Sequence, residues 1–131
     1  MLAYADAPAA IEFLRDAFGF EARERFDMED GRVGHAELVL EGGVIRLASL
    51  WPEMGFASPR DLTGVHGQTH CFVDDVDAHY ARARAAGATI VTEPADEFYG
   101  ARMYRAIDPE GHRWTFATQV RDVPREEWPK M

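Results

Sequence analysis

The chain has very little cysteine and no long apolar run. Cys71 is its single cysteine, so a disulfide within one chain is impossible. No apolar stretch approaches the roughly 20 residues that a membrane-spanning helix needs. The first ten residues do not show the basic and then apolar segments that are typical of a signal peptide. We therefore predict a cytoplasmic protein without membrane contacts.

Basic residues are also scarce. The 14 Lys and Arg residues are outnumbered by 23 Asp and Glu residues, which gives a net charge of −9. Nucleic acid is an unsuitable partner, because binding to phosphates needs clustered basic side chains. The acidic balance would suit a cationic ligand, but it would also serve solubility alone. No Gly-x-Ser-x-Gly elbow or phosphate-binding loop is present to indicate hydrolase or nucleotide chemistry.

What the sequence does contain is the same order of elements twice. Each half starts with a short apolar strand, continues with a helix that an aspartate caps and a glycine ends, and closes with three strands. Asp6 and Gly19 bound the first helix, and Asp75 and Gly87 bound the second. The predicted strands of the first half are 1–5, 20–28, 33–41 and 43–50, and those of the second half are 70–73, 88–93, 101–107 and 112–118.

The halves align at an offset of about 69, which brings Asp6 onto Asp75 and Gly42 onto Gly111. We therefore predict a single α+β domain, in which two tandem βαβββ modules form a curved mixed sheet around a cleft. Module one covers about 1–50, a connecting loop 51–66, module two about 67–118 and a C-terminal tail 119–131. The tail would pack on a partner subunit or extend into solvent.

Alternation along the strands predicts which side chains share a face. One face should pack under the helices and carries Leu38, Leu40, Ile45, Leu47, Cys71, Val73, Ile107, Trp114 and Phe116. The opposite face mixes polar and aromatic groups: His35, Glu37, Val39, Arg46, Gln68, His70, Phe72, Tyr104 and Thr115. Such a face is either a solvated surface or a cavity wall, and its large aromatic residues favour the cavity. Cys71 would be an inert core residue.

The connecting loop carries Trp51 and Phe56 close to two prolines and a glycine. A long loop with apolar anchors is often a lid over a binding site. Alternatively, the same anchors cover the edge of a sheet.

Three segments, YADAPAAIEFLRDAFGFE, HCFVDDVDAHYARARAAGATIV and YGARMYRAIDPEGHRWTF, resemble the vicinal oxygen chelate superfamily. This superfamily includes glyoxalase I, extradiol dioxygenases and bleomycin-resistance proteins. The resemblance spans about residues 2–118. It implies paired βαβββ modules, usually in a homodimer, whose sheets curve around one or two clefts.

The resemblance also implies where a metal would sit, because enzymes of the superfamily take their ligands from the first and last strands of each module. These positions fall on Arg46, Gln68 and Thr115, and a fourth would precede Met1. A permanently positive arginine opposes a cation, and threonine is a weak ligand. We therefore predict no metal or other cofactor at the usual site. A rearranged divalent-metal site would use His35, Glu37 and His70, which is a set that zinc accepts.

Two functions remain open. The first is a metal-free protein of the bleomycin-resistance type, which binds a small organic ligand, such as a cationic antibiotic, and confers resistance by sequestering it. The second is a metal-dependent lyase or dioxygenase that uses the non-standard site, so the sequence does not decide whether the protein is an enzyme. The candidate ligand-binding residues are His35, Glu37, Arg46, Trp51, Phe56, Gln68, His70, Phe72, Tyr99, Tyr104 and Thr115.

Overall fold

The computed structural model describes residues 1–130 and contains two helices and eight strands. Module one comprises β1 (Leu2–Tyr4), α1 (Ala7–Phe18), β2 (Glu21–Asp27), β3 (Val33–Leu40) and β4 (Gly43–Ser49). Module two comprises β5 (Thr69–Phe72), α2 (Val76–Ala85), β6 (Thr89–Asp96), β7 (Ala101–Ile107) and β8 (Arg113–Gln119). No helix in these 130 residues is long and apolar enough to cross a membrane.

Each module forms its own four-stranded mixed sheet. The strand orders are β1-β4-β3-β2 and β5-β8-β7-β6. In each sheet the first strand runs parallel to the last one, and the remaining pairs are antiparallel. The predicted α+β fold of two βαβββ modules is therefore confirmed, with the strands divided between two sheets.

Both helices begin and end at the predicted signals. The Asp6 carboxylate accepts a hydrogen bond from the Ala9 amide at 3.1 Å, and Asp75 accepts one from Ala78 at the same distance. These bonds satisfy amides that the first turn of a helix leaves without partners. Gly19 ends α1 with a φ of +80°, a left-handed conformation that glycine adopts without a steric penalty.

One core joins the two modules. It contains residues from α1, α2 and the helix-facing sides of both sheets. Phe18 at the end of α1 packs against two aromatic rings of β8, with centroid distances of 5.5 Å to Trp114 and 4.7 Å to Phe116. Leu38 and Leu47 are fully buried, as the alternation predicts, and Cys71 packs against the core in a half-buried position.

The alternation predicted for β7 is wrong by one residue. Tyr104 and Ala106 face the core, whereas the predicted core residue Ile107 alternates with them and pairs with Arg113. The β3–β4 connection has two residues, Glu41 and Gly42, but five residues connect Ile107 to Arg113. The change from an even to an odd number shifts the parity of β7 and turns its side chains to the other face.

Asp108 and Glu110, in the turn between β7 and β8, hold the modules together. Asp108 Oδ2 accepts hydrogen bonds from the Tyr4 hydroxyl at 2.7 Å and from Trp114 Nε1 at 3.1 Å. Burial and the neighbouring Asp108 carboxylate raise the pKa of Tyr4. The Glu110 carboxylate accepts the amides of Ala5 and Asp6, just before α1. The turn thus also anchors the start of module one.

Glu110 accepts a third hydrogen bond, from the Ser58 hydroxyl at 2.5 Å. Burial pushes the pKa of Glu110 upward, but the hydrogen bonds from Ser58 and the two amides outweigh it and lower the pKa. The connecting loop is therefore hydrogen-bonded to the same β7–β8 turn that holds the two modules together.

The C-terminal end of α1 is held by α2. His79 Nε2 lies 2.7 Å from the Phe18 carbonyl oxygen, and Arg82 donates to the carbonyls of Arg15 and Asp16. Carbonyls at a helix end lack partners within the helix, so these contacts satisfy them. The His79 ring is half-buried between the modules, with Phe18 of the first and Tyr104 of the second as its partners.

Candidate ligand-binding site

Alternate side chains of both sheets point away from the shared core, and we call these the open faces. The open face of the first sheet carries His35, Glu37 and Arg46, because Ala36, Leu38 and Leu47 between them are core residues. On the second sheet, the residues that alternate with the core residues Tyr104, Ala106, Trp114 and Phe116 are Met103, Arg105, Thr115 and Ala117.

Glu37 forms ion pairs with two arginines on the first open face. Arg23 Nη2 donates to Glu37 Oε2 at 2.6 Å, and Arg46 Nε donates to Oε1 at 3.0 Å. Only 6% of Glu37 is exposed, whereas both arginine side chains are more than half exposed. The Arg23 hydrogen bond outweighs the opposing effect of burial and, together with Arg46, lowers the pKa of Glu37.

Sequence reasoning missed Arg23, because it lies in a β-bulge. The pairing of β2 with β3 shifts between Ala22 and Glu24, which leaves Arg23 as the extra residue. A bulge lets neighbouring side chains approach the same partner, which strict alternation does not allow. Module two has the matching irregularity between Ile90 and Thr92, and comparison of the two halves is the signal that could have located it.

The cluster of potential metal ligands around Glu37 differs from the predicted set. Glu24 joins His35 and Glu37, with one potential ligand atom from each within 4.8 Å of the others. His70 lies on the second sheet, where it pairs with Thr115, and it is not a member of the group found among residues 1–130. Both carboxylate oxygens of Glu37 already accept from guanidinium groups, and two neighbouring cations oppose a third.

The positions that the superfamily uses for metal do not fit a metal here. Arg46 is bound to Glu37, and the Thr115 hydroxyl donates to Gln68 Oε1 at 3.2 Å. An arginine, an amide and a hydroxyl that already bond to neighbours are a poor donor set for a divalent ion. We therefore derive no chemical step through a metal at these positions.

A polar row crosses the open face of the second sheet. The strand register places His70 of β5 beside Thr115 of β8, Thr115 beside Arg105 of β7, and Arg105 beside Thr92 of β6. Side chains in such a row lie about 5 Å apart. Thr115 is 3% exposed and Arg105 is half-buried, so the middle of the row is partly shielded from water.

An apolar row runs beside the polar one. Its register positions are Phe72, Ala117, Met103 and Ala95. Phe72 is 63% exposed and its ring lies 5.0 Å from the His70 ring. An exposed phenylalanine next to polar donors on a sheet is typical of a ligand-contacting surface and not of a core.

The C-terminal tail ends the apolar row with an aromatic cluster. The Tyr99 hydroxyl donates to Met103 Sδ at 3.4 Å, and the Tyr99 ring lies 6.1 Å from Trp128. Phe98 contacts both aromatic rings. Neither predicted alternative for the tail, a partner subunit or solvent, describes Trp128, whose ring packs against Phe98 and Tyr99 of its own module. Tyr99 lies beside Met103 of the second open face, and its role in ligand binding stays a prediction.

Tyr104 is not a ligand-binding candidate. It is fully buried in the core, and its hydroxyl lies 2.6 Å from His79 Nδ1. Burial raises the pKa of Tyr104 and lowers that of His79. The parity shift in β7 is the cause of the wrong assignment, and the same shift places Arg105, which we had not selected, on the open face.

Trp51 and Phe56 of the connecting loop lie by the first sheet. They form an isolated β-bridge around a turn at Gly55 and are 47% and 44% exposed. Both border an apolar cavity of about 290 Å³ whose other lining residues belong to β1, β3, β4 and the loop. Neither residue lines the polar row of the second sheet, so the choice between a lid and an edge cover stays open.

Two grooves, which we call the seam grooves, are lined by residues of both β4 and β5. One of about 340 Å³ is lined by Val44 from the first sheet and by His70 and Phe72 from the second. Another of about 490 Å³ is lined by Arg23, Arg46 and Thr69. The candidate residues of the two modules therefore border adjoining grooves, although they belong to separate sheets.

Comparison with known proteins identifies the family. Residues 1–116 match the model of the Glyoxalase/Bleomycin resistance protein/Dioxygenase superfamily. An uncharacterized protein of Mycobacterium bovis is 37% identical over 125 residues, which cover 93% of this chain and 82% of the relative. The solved structure of TioX from Micromonospora sp. ML1 is 32% identical, with a TM-score of 0.71 over 91% of this chain and 94% of TioX.

A Burkholderia phytofirmans PsJN enzyme of the same family has a similar fold at 22% identity, with a TM-score of 0.69 over 91% of this chain and 94% of that one. The predicted resemblance is thus confirmed by the family model and by solved structures. The chain belongs to the Glyoxalase/Bleomycin resistance protein/Dioxygenase superfamily.

Proposed function

We propose that the protein binds a small organic ligand on the open face of its second sheet, without a metal. The observation that carries this proposal is the polar row His70–Thr115–Arg105–Thr92 beside an apolar row that ends in Tyr99. Apolar walls with a few well-placed polar groups are typical of small-molecule sites. The seam grooves provide a way for the ligand to contact Arg46 on the first sheet as well.

A second copy of the chain would complete the site. Phe26, Val44 and Phe72 occupy strand positions and are 63%, 45% and 63% exposed. Several exposed apolar residues on the sheets favour an interface, and the family resemblance implies a homodimer. Analytical ultracentrifugation should give twice the mass of one chain, and a monomer at micromolar concentration would contradict this part of the proposal.

Sequestration of a cationic antibiotic is the narrower form of this proposal. It rests on the family and on the net charge of −9. Bleomycin is the probe for it: saturable binding in calorimetry at micromolar concentration, together with resistance of cells that express the protein, would support the narrower form. Binding of other small aromatic molecules without binding of bleomycin would leave only the general form.

The general form is tested with the aromatic probe 1-anilinonaphthalene-8-sulfonate. Phe72→Ala should weaken its saturable binding about tenfold, because the variant removes the exposed ring of the apolar row. Leu62→Ala is the control, since Leu62 is half exposed but lies on the connecting loop, outside both sheets. Equal effects of the two substitutions would contradict a site on the second sheet.

A metal-dependent lyase or dioxygenase is the second candidate, and the Glu24–His35–Glu37 group is the observation that favours it. Elemental analysis of the purified protein tests it. We expect less than stoichiometric zinc, nickel, manganese and iron. A stoichiometric metal that His35→Ala removes and His66→Ala retains would replace the metal-free proposal with the enzyme, because His66 is an exposed histidine of the connecting loop outside the group.

A further inference from the structure

We infer that Arg105 recognises an anionic group of the ligand, so that the ligand is an aromatic or otherwise apolar molecule that carries a carboxylate. This inference rests on the proposed function, because it assigns the charge of the ligand in that same site. Arg105 lies in the middle of the polar row, and its guanidinium is the one permanent charge in that row.

Arg105 has no carboxylate partner. Within residues 1–130, no aspartate or glutamate oxygen lies within 4.0 Å of its guanidinium nitrogens. In the same described part of the chain, its one side-chain hydrogen bond runs from Nη2 to Met103 Sδ at 3.6 Å. Arg102, three positions along the same strand, instead contacts both Asp77 and Asp96. A half-buried and unpaired guanidinium is costly unless an anion binds to it.

The neighbours of Arg105 are neutral hydrogen-bonding groups. Thr115 on one side and Thr92 on the other offer hydroxyl groups, and His70 lies beyond Thr115. A carboxylate bound to Arg105 could accept further hydrogen bonds from these groups without meeting a like charge in the row. Arginine suits this role because its planar fork donates two parallel hydrogen bonds to a carboxylate.

The apolar row defines the rest of the ligand. Met103, the contact of Arg105, is itself buried against Tyr99, so the exposed Phe72 ring is the aromatic surface that this row offers to a ligand. An aromatic body placed here would bring its acidic substituent to Arg105, one row away. A small inorganic anion would leave the exposed Phe72 ring uncovered, whereas Met103 and Ala117 are already buried within the chain.

The other charges on the open faces are compatible with an anion. Arg113 follows in the next row of the second sheet, and Arg23 and Arg46 line one of the seam grooves. Glu37 is neutralised by its two arginines, and Glu24 lies beyond it on the edge strand of the first sheet. The net charge of −9 arises mostly elsewhere, and salt screens charges beyond about 8 Å at physiological ionic strength.

Three ligands with one ring system test the inference by calorimetry: 2-naphthoate, 2-naphthalenemethanol and protonated 2-naphthylmethylamine. We expect the carboxylate to bind at least tenfold more tightly than the amine. Arg105→Gln should remove this preference and leave the affinity for the neutral alcohol within twofold. Arg84→Gln is the matched control, because it deletes the same charge from an exposed position on α2.

Arg105→Lys keeps the charge and should retain part of the preference, which guards against a loss through misfolding. Equal or tighter binding of the amine would overturn the inference and leave the proposed function intact. An unchanged preference in Arg105→Gln would also overturn it. If none of the three naphthalenes binds, the ligand site itself is absent and the proposed function fails together with the inference.

Discussion

Glu37 and Arg105 occupy equivalent positions in the two modules. Glu37 precedes the core residue Leu38 on β3 and pairs with Arg46 on β4, whereas Arg105 precedes Ala106 on β7 and pairs with Thr115 on β8. The duplication has therefore placed opposite charges at one site of the fold. In module one the charge is paired within the chain, whereas in module two the charge of Arg105 has no carboxylate partner among residues 1–130.

The contact between Tyr4 and Asp108 is expected to stabilise the modules against separation. Tyr4→Phe deletes one hydrogen bond to a buried carboxylate and should lower the free energy of unfolding by about 1–3 kcal/mol. Urea denaturation measures the change. Tyr99→Phe is the control, because its hydroxyl contacts only the sulfur of Met103, and a larger loss there would contradict the role given to Asp108.

His79 should make stability depend on pH. Because burial lowers its pKa in the folded protein, the unfolded state binds more protons as the pH falls below about 6.5. The contribution of His79 is therefore fully present above that pH and is lost as the pH falls through the folded pKa. Urea denaturation between pH 7.5 and 5 should show this loss, and His79→Gln should reduce the slope. An unchanged slope in the variant would assign the effect to other groups.

The Cys71 thiol should react slowly. Burial raises its pKa to about 11, so the nucleophilic thiolate is rare at neutral pH. Ellman's reagent at pH 8 should modify the native protein at least tenfold more slowly than the protein unfolded in urea. Similar rates in both states would show that the thiol is accessible.

Tryptophan fluorescence should locate the ligand. Trp128 stacks near Tyr99 at the end of the apolar row, whereas Trp51 borders the cavity by the first sheet. If bleomycin or another ligand binds as proposed, Trp128→Phe should abolish most of the fluorescence change. If instead Trp51→Phe abolishes it, the connecting loop is the lid that its sequence suggested.

The sequence was sufficient to predict the modules, because caps and tight turns are local features. Asp6, Asp75 and Gly19 act where their residue types indicate. The parity of β7 could not be read in the same way, since it depends on how a five-residue connection folds. The bulge at Arg23 and the hydrogen bond of Asp108 to Tyr4 depend on partners far along the chain, so no local pattern indicated them.

The candidate site was predicted less completely than the fold. His70, Thr115 and Phe72 lie together on one open face as expected, whereas Tyr104 belongs to the core and Arg105 takes its place. A shift of β7 by one residue was enough to exchange an aromatic side chain for a charged one on this face. This exchange places a positive charge on the open face, which favours an anionic ligand over a cationic one.

A crystal structure of the protein with 2-naphthoate tests the central claim most directly. The account predicts the carboxylate within hydrogen-bonding distance of the Arg105 guanidinium and the ring system against the exposed Phe72 ring. A naphthoate bound only in the cavity beneath Trp51, or with its carboxylate away from Arg105, would contradict it.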